Sequence, residues 1–188
     1  FHYRSDHPAL INFSNCAFYG GNLIPFPEKE VYDPIIFQQV NGEYEYGNRV
    51  NRREVEIVKK ILYEKIHTDN QNKYPSVGIA TFNKEQQKLI KDELEVLAQN
   101  DIDFGKKFQD LKDTGVFIKN LENIQGDEKD IIILTTTFGN TRDGRFREQF
   151  GKLNQEEGYK LLKVLNTRAK KKDIWMYVYS KGKICGLV

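Results

Sequence analysis

Helical periodicity alternating with short, wholly apolar runs predicts an α/β domain on a largely parallel β-sheet flanked by helices. Strands with helices on both faces are buried on both faces, and they read as unbroken apolar text rather than as alternation. SVGIATF at 76–82 and DIIILTTTF at 130–138 are runs of this kind. No internal repeat and no linker-like stretch interrupts the periodic part. The expectation is therefore one domain over 1–188, with an irregular opening segment at 1–50 and the α/β core at 51–188.

The elements follow in chain order. Residues 1–50 are rich in aromatics, Asn, Gly and Pro, as in FYGGNLIPFP, and predict irregular structure. Residues 52–67 place Val55, Val58, Ile61, Leu62 and Ile66 at helical spacing. Tyr74-Pro75 signals a turn before the strand at 76–82. A helix over 83–100 buries Leu89, Ile90, Leu94 and Leu97. Asn83, with Gln86 three residues on, resembles a capping box at its start. GVFIKN at 115–120 is the next strand, and a polar turn then leads into the strand at 130–138. After a Gly-rich excursion, a helix over 159–171 buries Leu161, Leu162, Val164 and Leu165, and DIWMYVYS at 173–180 closes the sheet. In such sheets ligands gather at the carboxyl ends of the strands. That rule points to three polar stretches, 81–86, 120–128 and 167–172.

Composition bounds the function. Apolar residues make up 39% and charged residues 30% of the 188, ordinary for a globular chain. Two cysteines, Cys16 and Cys185, cannot make a disulfide framework, no apolar run reaches ~20 residues, and no signal-peptide pattern opens the chain. These features predict a cytoplasmic protein with no membrane partner. Phe1, in place of Met, predicts a piece of something longer. The formal net charge is only +2, but Lys and Arg concentrate after Gly158, and a basic end of this kind meets either phosphates or solvent.

No complete catalytic apparatus is present. The Gly-Lys pairs at 105, 151 and 182 lack the frame of a phosphate loop, and the apolar run 131–134 leads into Thr135-Thr136-Thr137 rather than into acids that could hold Mg²⁺. His2, His7 and His67 do not combine with the cysteines at metal-ligand spacing, and no nucleophile elbow occurs. Strand-end arginines remain. Arg168, near the end of the expected helix, suits the helix dipole; presented at the rim of a sheet, it equally suits a neighbouring nucleotide site as an arginine finger. Arg4 could supply a second guanidinium.

Four segments resemble the second RecA-like domain of superfamily 1 helicases, on the branch of the nonsense-mediated-decay RNA helicase. HYRSDHPALINFSNCAFYGGNL at 2–23 is similar to that branch's Q-Y-R-M-H-P…F-Y-G-G opening. VGIATFNKEQQKLI at 77–90 resembles motif IV, NLENIQGDEKDIIILT at 120–135 resembles motif V, and LLKVLNTRAKK at 161–171 resembles motif VI. DGRFREQFGKLNQEEG is also similar to a group of large bacterial helicase-like proteins. The resemblance implies a domain without its own phosphate loop, working beside a first RecA-like domain that binds ATP with Mg²⁺. It implies that Glu128 reaches the ribose, that Gln125 and Gly126 line the triphosphate side, and that Tyr3 stacks near adenine. Arg168 and Arg4 would reach the γ-phosphate, stabilising charge that develops in hydrolysis. Thr81, Asn83 and Asn120 would meet the backbone of single-stranded DNA or RNA, contacts blind to sequence. Asn83 has the plain alternative of a helix cap, and Lys170, Lys171 and Lys172 that of a solvated helix end.

The chain departs from the pattern where motif VI opens, with Leu161, Leu162, Lys163 and Val164 in place of Arg-Leu-Asn-Val, and at Glu122 and Asn123 in motif V. Those departures keep open a non-enzymatic, helicase-like module that binds nucleic acid or protein. A metal nuclease built on residues 127–130 would need further acids on adjacent strands.

Overall fold

Five strands make the sheet: β1 (Ile35–Gln39), β2 (Val77–Thr81), β3 (Phe117–Asn120), β4 (Lys129–Thr135) and β5 (Ala169–Tyr177). They lie in the order β1-β5-β4-β2-β3, and each neighbouring pair is parallel. The computed structural model describes residues 6–24, 32–124, 126–146, 168–177, 179–180 and 183–184. Within it a short antiparallel pair, β6 (Tyr179–Ser180) and β7 (Lys183–Ile184), follows the sheet. The expected α/β architecture is thus observed, and among the described residues no helix is long and apolar enough to cross a membrane.

Alternation along the strands divides the core in two. Ile79, Ile133, Ile174 and Met176 face α2 (Arg52–Lys60), α3 (Lys84–Asn100) and α4 (Ile102–Asp113). Ala80, Ile132, Leu134 and Trp175 face the other way, onto Leu10 of α1 (Ala9–Tyr19) and onto Leu121 and Ile124. All five residues predicted to line the 52–67 helix are buried. The last turn of that segment, Ile61–Lys65, widens into a π turn, and Lys107 of α4 donates to the Tyr63 and Ile66 carbonyls at its end. Gly78 has to be small. A Cβ there would lie 2.5 Å from the Phe117 ring and 2.8 Å from Ile132 Cδ1.

Four expectations need correction. The opening 50 residues are not irregular throughout, since they supply α1 and the edge strand β1. Polar residues inside α1 hid the helix: Ser14 and Asn15 are buried, and the Asn15 side chain exchanges two 2.9 Å hydrogen bonds with the backbone of Leu23. Residues 102–113 form a helix that the sequence reading passed over. Asp101, which ends α3, also caps α4 by accepting from Phe104 N at 2.9 Å.

The other two corrections concern the basic end. Ala169, Lys170 and Lys171, expected to finish a helix, belong to β5, and the rest of that helix lies outside the described residues. Lastly, the three polar stretches do not share one edge. Thr81 pairs with Asn120 and Thr135, so these three mark the carboxyl edge of the sheet. Arg168 and Glu128 instead stand where β5 and β4 begin, at the amino edge.

Candidate functional site

The predicted site residues separate into two groups, one at each end of the strands. At the amino edge Lys129 N donates to Arg168 O at 3.0 Å, which fixes the backbone of Arg168 beside the motif V turn. Gly126 makes that turn with φ 92, a left-handed geometry, and nothing lies within 4 Å of where its Cβ would be. Glu128 Oε2 lies 3.8 Å from Lys170 Nζ, and Asp127 Oδ2 lies 2.6 Å from Lys119 Nζ. Beneath them Asp130 takes the Ser76 hydroxyl at 2.7 Å and the Ser76 N–H at 2.9 Å. Burial works upward on the Asp130 carboxyl, but the Ser76 bonds and the lysines at 171 and 170 hold it below the usual range. Gln125, Tyr3 and Arg4 lie outside the described residues.

The Arg168 backbone thus stands beside the turn that carries Glu128, whose partly exposed carboxylate can accept from a ligand hydroxyl. Asp127, Glu128 and Asp130 each have a lysine partner, and among the described residues no three His, Cys, Asp or Glu side chains gather to hold an ion.

The carboxyl edge is built differently. Thr81, Asn83 and Asn120 are buried, and their side chains are occupied. Thr81 Oγ1 donates to Asn83 O at 2.8 Å. Asn83 Oδ1 accepts from Gln86 N at 2.7 Å as the cap of α3, while its Nδ2 donates to Arg49 O at 2.9 Å. Asn120 Oδ1 accepts from Glu122 N at 3.0 Å. Gln86 does not complete a capping box. Its side chain clamps the backbone of Asn51 instead, accepting from the N–H at 2.9 Å and donating to the carbonyl at 3.0 Å.

Sequence reading missed the centre of this edge, Glu54. It is fully buried, and its oxygens accept from Thr137 N at 2.9 and 3.1 Å and from the Thr136 hydroxyl at 3.2 Å. Burial pushes its carboxyl up to about 8, against the pull of those two threonines. Thr137 is β-branched yet sits at φ 71, a strained geometry that the carboxyl holds in place. Asn51 followed by Glu54 reads as a capping pair, which gives the signal for the cap but not for the contact with Thr137. Asp173, also buried, is likewise pushed up to about 8 by burial, and Trp175 opposes the shift with a hydrogen bond. A second strained position is Arg49, at φ 58, where a left-handed L-residue costs roughly 1–2 kcal/mol.

A five-stranded parallel sheet with helices on both faces, carrying motifs IV to VI and no phosphate loop, is a RecA-like domain of the superfamily 1 helicase type. The chain belongs to the AAA domain family AAA_12, whose profile matches residues 1–177. It is 34% identical over 179 residues to the uncharacterized ATP-dependent helicase MG140 of Mycoplasma genitalium, covering 92% of this chain and 15% of that protein. It is 33% identical over 180 residues to the MG140 homolog of Mycoplasma pneumoniae, with the same coverage of 92% and 15%. The chain thus spans about 15% of the length of these relatives.

Proposed function

We propose that this chain is the second RecA-like domain of an ATP-driven, cytoplasmic superfamily 1 helicase that moves along single-stranded DNA or RNA. Its partner in catalysis is the first RecA-like domain of the same protein, which carries the phosphate loop and holds ATP with Mg²⁺. The bound nucleotide supplies the phosphoryl group and the metal its charge neutralisation. This chain adds Arg168 and Arg4 as arginine fingers, Glu128 at the ribose, and Gln125, Gly126 and Tyr3 around the nucleotide. Thr81, Asn83 and Asn120 belong to the strand-facing edge. Alone, the chain hydrolyses no ATP.

The observation that carries this reading is the separation of the two groups. Arg168 and Glu128 stand at the amino edge, and Thr81 and Asn120 at the carboxyl edge of the same rigid sheet. A motor needs such a division, because the nucleotide cleft and the strand track must be distinct surfaces joined by a stiff body.

The test is ATP turnover of the longest natural chain containing this segment, with and without single-stranded DNA or RNA, beside its Arg168→Ala variant. Strand-stimulated turnover is expected, reduced by roughly 10²-fold or more in the variant with strand binding intact. Strand binding without turnover in either protein would replace the motor with a binding module.

A further inference from the structure

Residues 44–50 fold into a tight hairpin beyond the carboxyl end of β1, closed by the Glu45–Val50 bridge. Neighbours on both sides fix it. Tyr44 N donates to Asn140 O at 2.8 Å, and Asn83 Nδ2 donates to Arg49 O at 2.9 Å. Within the hairpin, Asn48 and Arg52 both reach the Glu45 carboxylate at 2.9 Å. The buried Tyr44 ring packs on Phe138 at 5.3 Å and meets Tyr46 edge-on at 6.4 Å. Tyr46 itself is 59% exposed, and the Arg49 side chain 58%.

We infer that Tyr46 and Arg49 form a single-strand contact, the ring stacking on a base and the guanidinium meeting a backbone phosphate. The inference rests on the strand-motor reading above and adds to it the groups that touch the strand. Three observations carry it. Thr81, Asn83 and Asn120 have their side chains buried and bonded within the domain, so the edge needs exposed groups to grip a polyanion. An exposed ring and an exposed cation also share one short hairpin, and that pair of groups binds single strands without regard to sequence. Finally, Asn83 itself holds the hairpin through the Arg49 carbonyl, which ties a predicted strand residue to an exposed cation.

The strain at Arg49 sharpens the argument. Local physics favours glycine at φ 58, so an arginine there is retained against backbone preference. Its guanidinium meets the Tyr44 hydroxyl and forms an ion pair with Glu85, 3.1 Å away and open to solvent, and the ion pair can be exchanged for a phosphate at little cost.

The experiment is binding of labelled oligothymidylate and oligouridylate to the longest natural chain containing this segment, with thermal unfolding in parallel. Arg49→Gly is expected to weaken binding about 10-fold and to lower the slope of log affinity against log salt by about 1. The same change should leave the unfolding midpoint unchanged or raised, since it relieves strain. Tyr46→Ala should weaken binding about 5-fold or more, and Tyr46→Phe should bind like the unaltered protein, because stacking needs only the ring. If the unaltered protein binds strand and both Arg49→Gly and Tyr46→Ala bind as well, this inference falls and the motor reading stands. If the unaltered protein binds neither oligonucleotide, both fall and the hairpin passes to a protein partner.

Discussion

At the amino edge of the sheet, Glu128 and Lys170 face each other across 3.8 Å with both side chains partly in solvent. At the carboxyl edge Glu54 is sealed, and its oxygens are occupied by the Thr137 N–H and the Thr136 hydroxyl. The first carboxylate can exchange its partner cheaply, because a solvated ion pair contributes little. The second cannot, because unpairing it would leave buried donors without acceptors. One edge is thus suited to exchanging its partners. The other is suited to keeping a surface in one shape while that happens.

Paired substitutions test this contrast most sharply. Glu54→Ala is expected to cost about 3 kcal/mol of stability, since it opens a cavity and strands the Thr137 N–H. Urea unfolding followed by the fluorescence of Trp175, the chain's single tryptophan, measures it. Glu128→Ala should cost no more than about 0.5 kcal/mol by the same assay and appear instead in ATP turnover of the intact protein. Equal costs at the two positions would erase the distinction.

Titration gives an effect of defined sign. The folded protein keeps protons on Glu54 and Asp173 up to about 8, whereas their ordinary values are 4.5 and 3.8. Between those values the folded state binds more protons than the unfolded chain, so stability falls as pH rises and levels off above about 8. Each group contributes a slope of up to ~1.4 kcal/mol per pH unit in its window. Glu54→Gln should remove its share and flatten the decline. A rise in stability across the same window would show that these carboxyls are buried as anions.

The smallest expected effect concerns Asn83. Asn83→Ala removes a helix cap and should cost about 1 kcal/mol, with faster amide exchange through the 44–50 hairpin that its Nδ2 holds. A stability loss with hairpin exchange unchanged would reduce Asn83 to a cap alone.

Much of this architecture is legible in the sequence, and for identifiable reasons. The apolar stripes of 52–67 and 83–100 and the runs at 77–81 and 130–135 carry their own period, so their elements follow directly, although in 83–100 Ile90 and Leu94 are buried and Leu89 and Leu97 only partly. The Gln-Gly-x-Glu turn and the Thr-Arg-Ala-Lys stretch are specific enough to point to the family. Less visible were elements whose evidence is tertiary. Helix α1 buries Ser14 and Asn15, which propensity counts against a helix, and β1 gains its place from pairing with β5 rather than from its own pattern. Which edge a residue occupies depends on where each strand starts, and Arg168 moved from one end to the other once β5 was found to begin at Ala169. Glu54 carries a cap-like spacing, yet its partners are 82 and 83 residues away, a distance no local pattern encodes.

The link between β3 and β4 bears on how the two edges communicate. Asn120 stands at the carboxyl edge and Lys129 at the amino edge, so the link between them returns across the sheet, and it opens with a short 3-10 turn at Leu121–Asn123. Leu121 and Ile124 pin the crossing to the sheet as it descends. The described part of the connection is a string of tight turns: 3-10 at Leu121–Asn123, left-handed at Gly126, and closed where Asp127 N donates to Ile124 O at 3.1 Å. Because Leu121 and Ile124 seat this turn-rich link in the core, Asn120 and Glu128 share one short covalent path between the two edges.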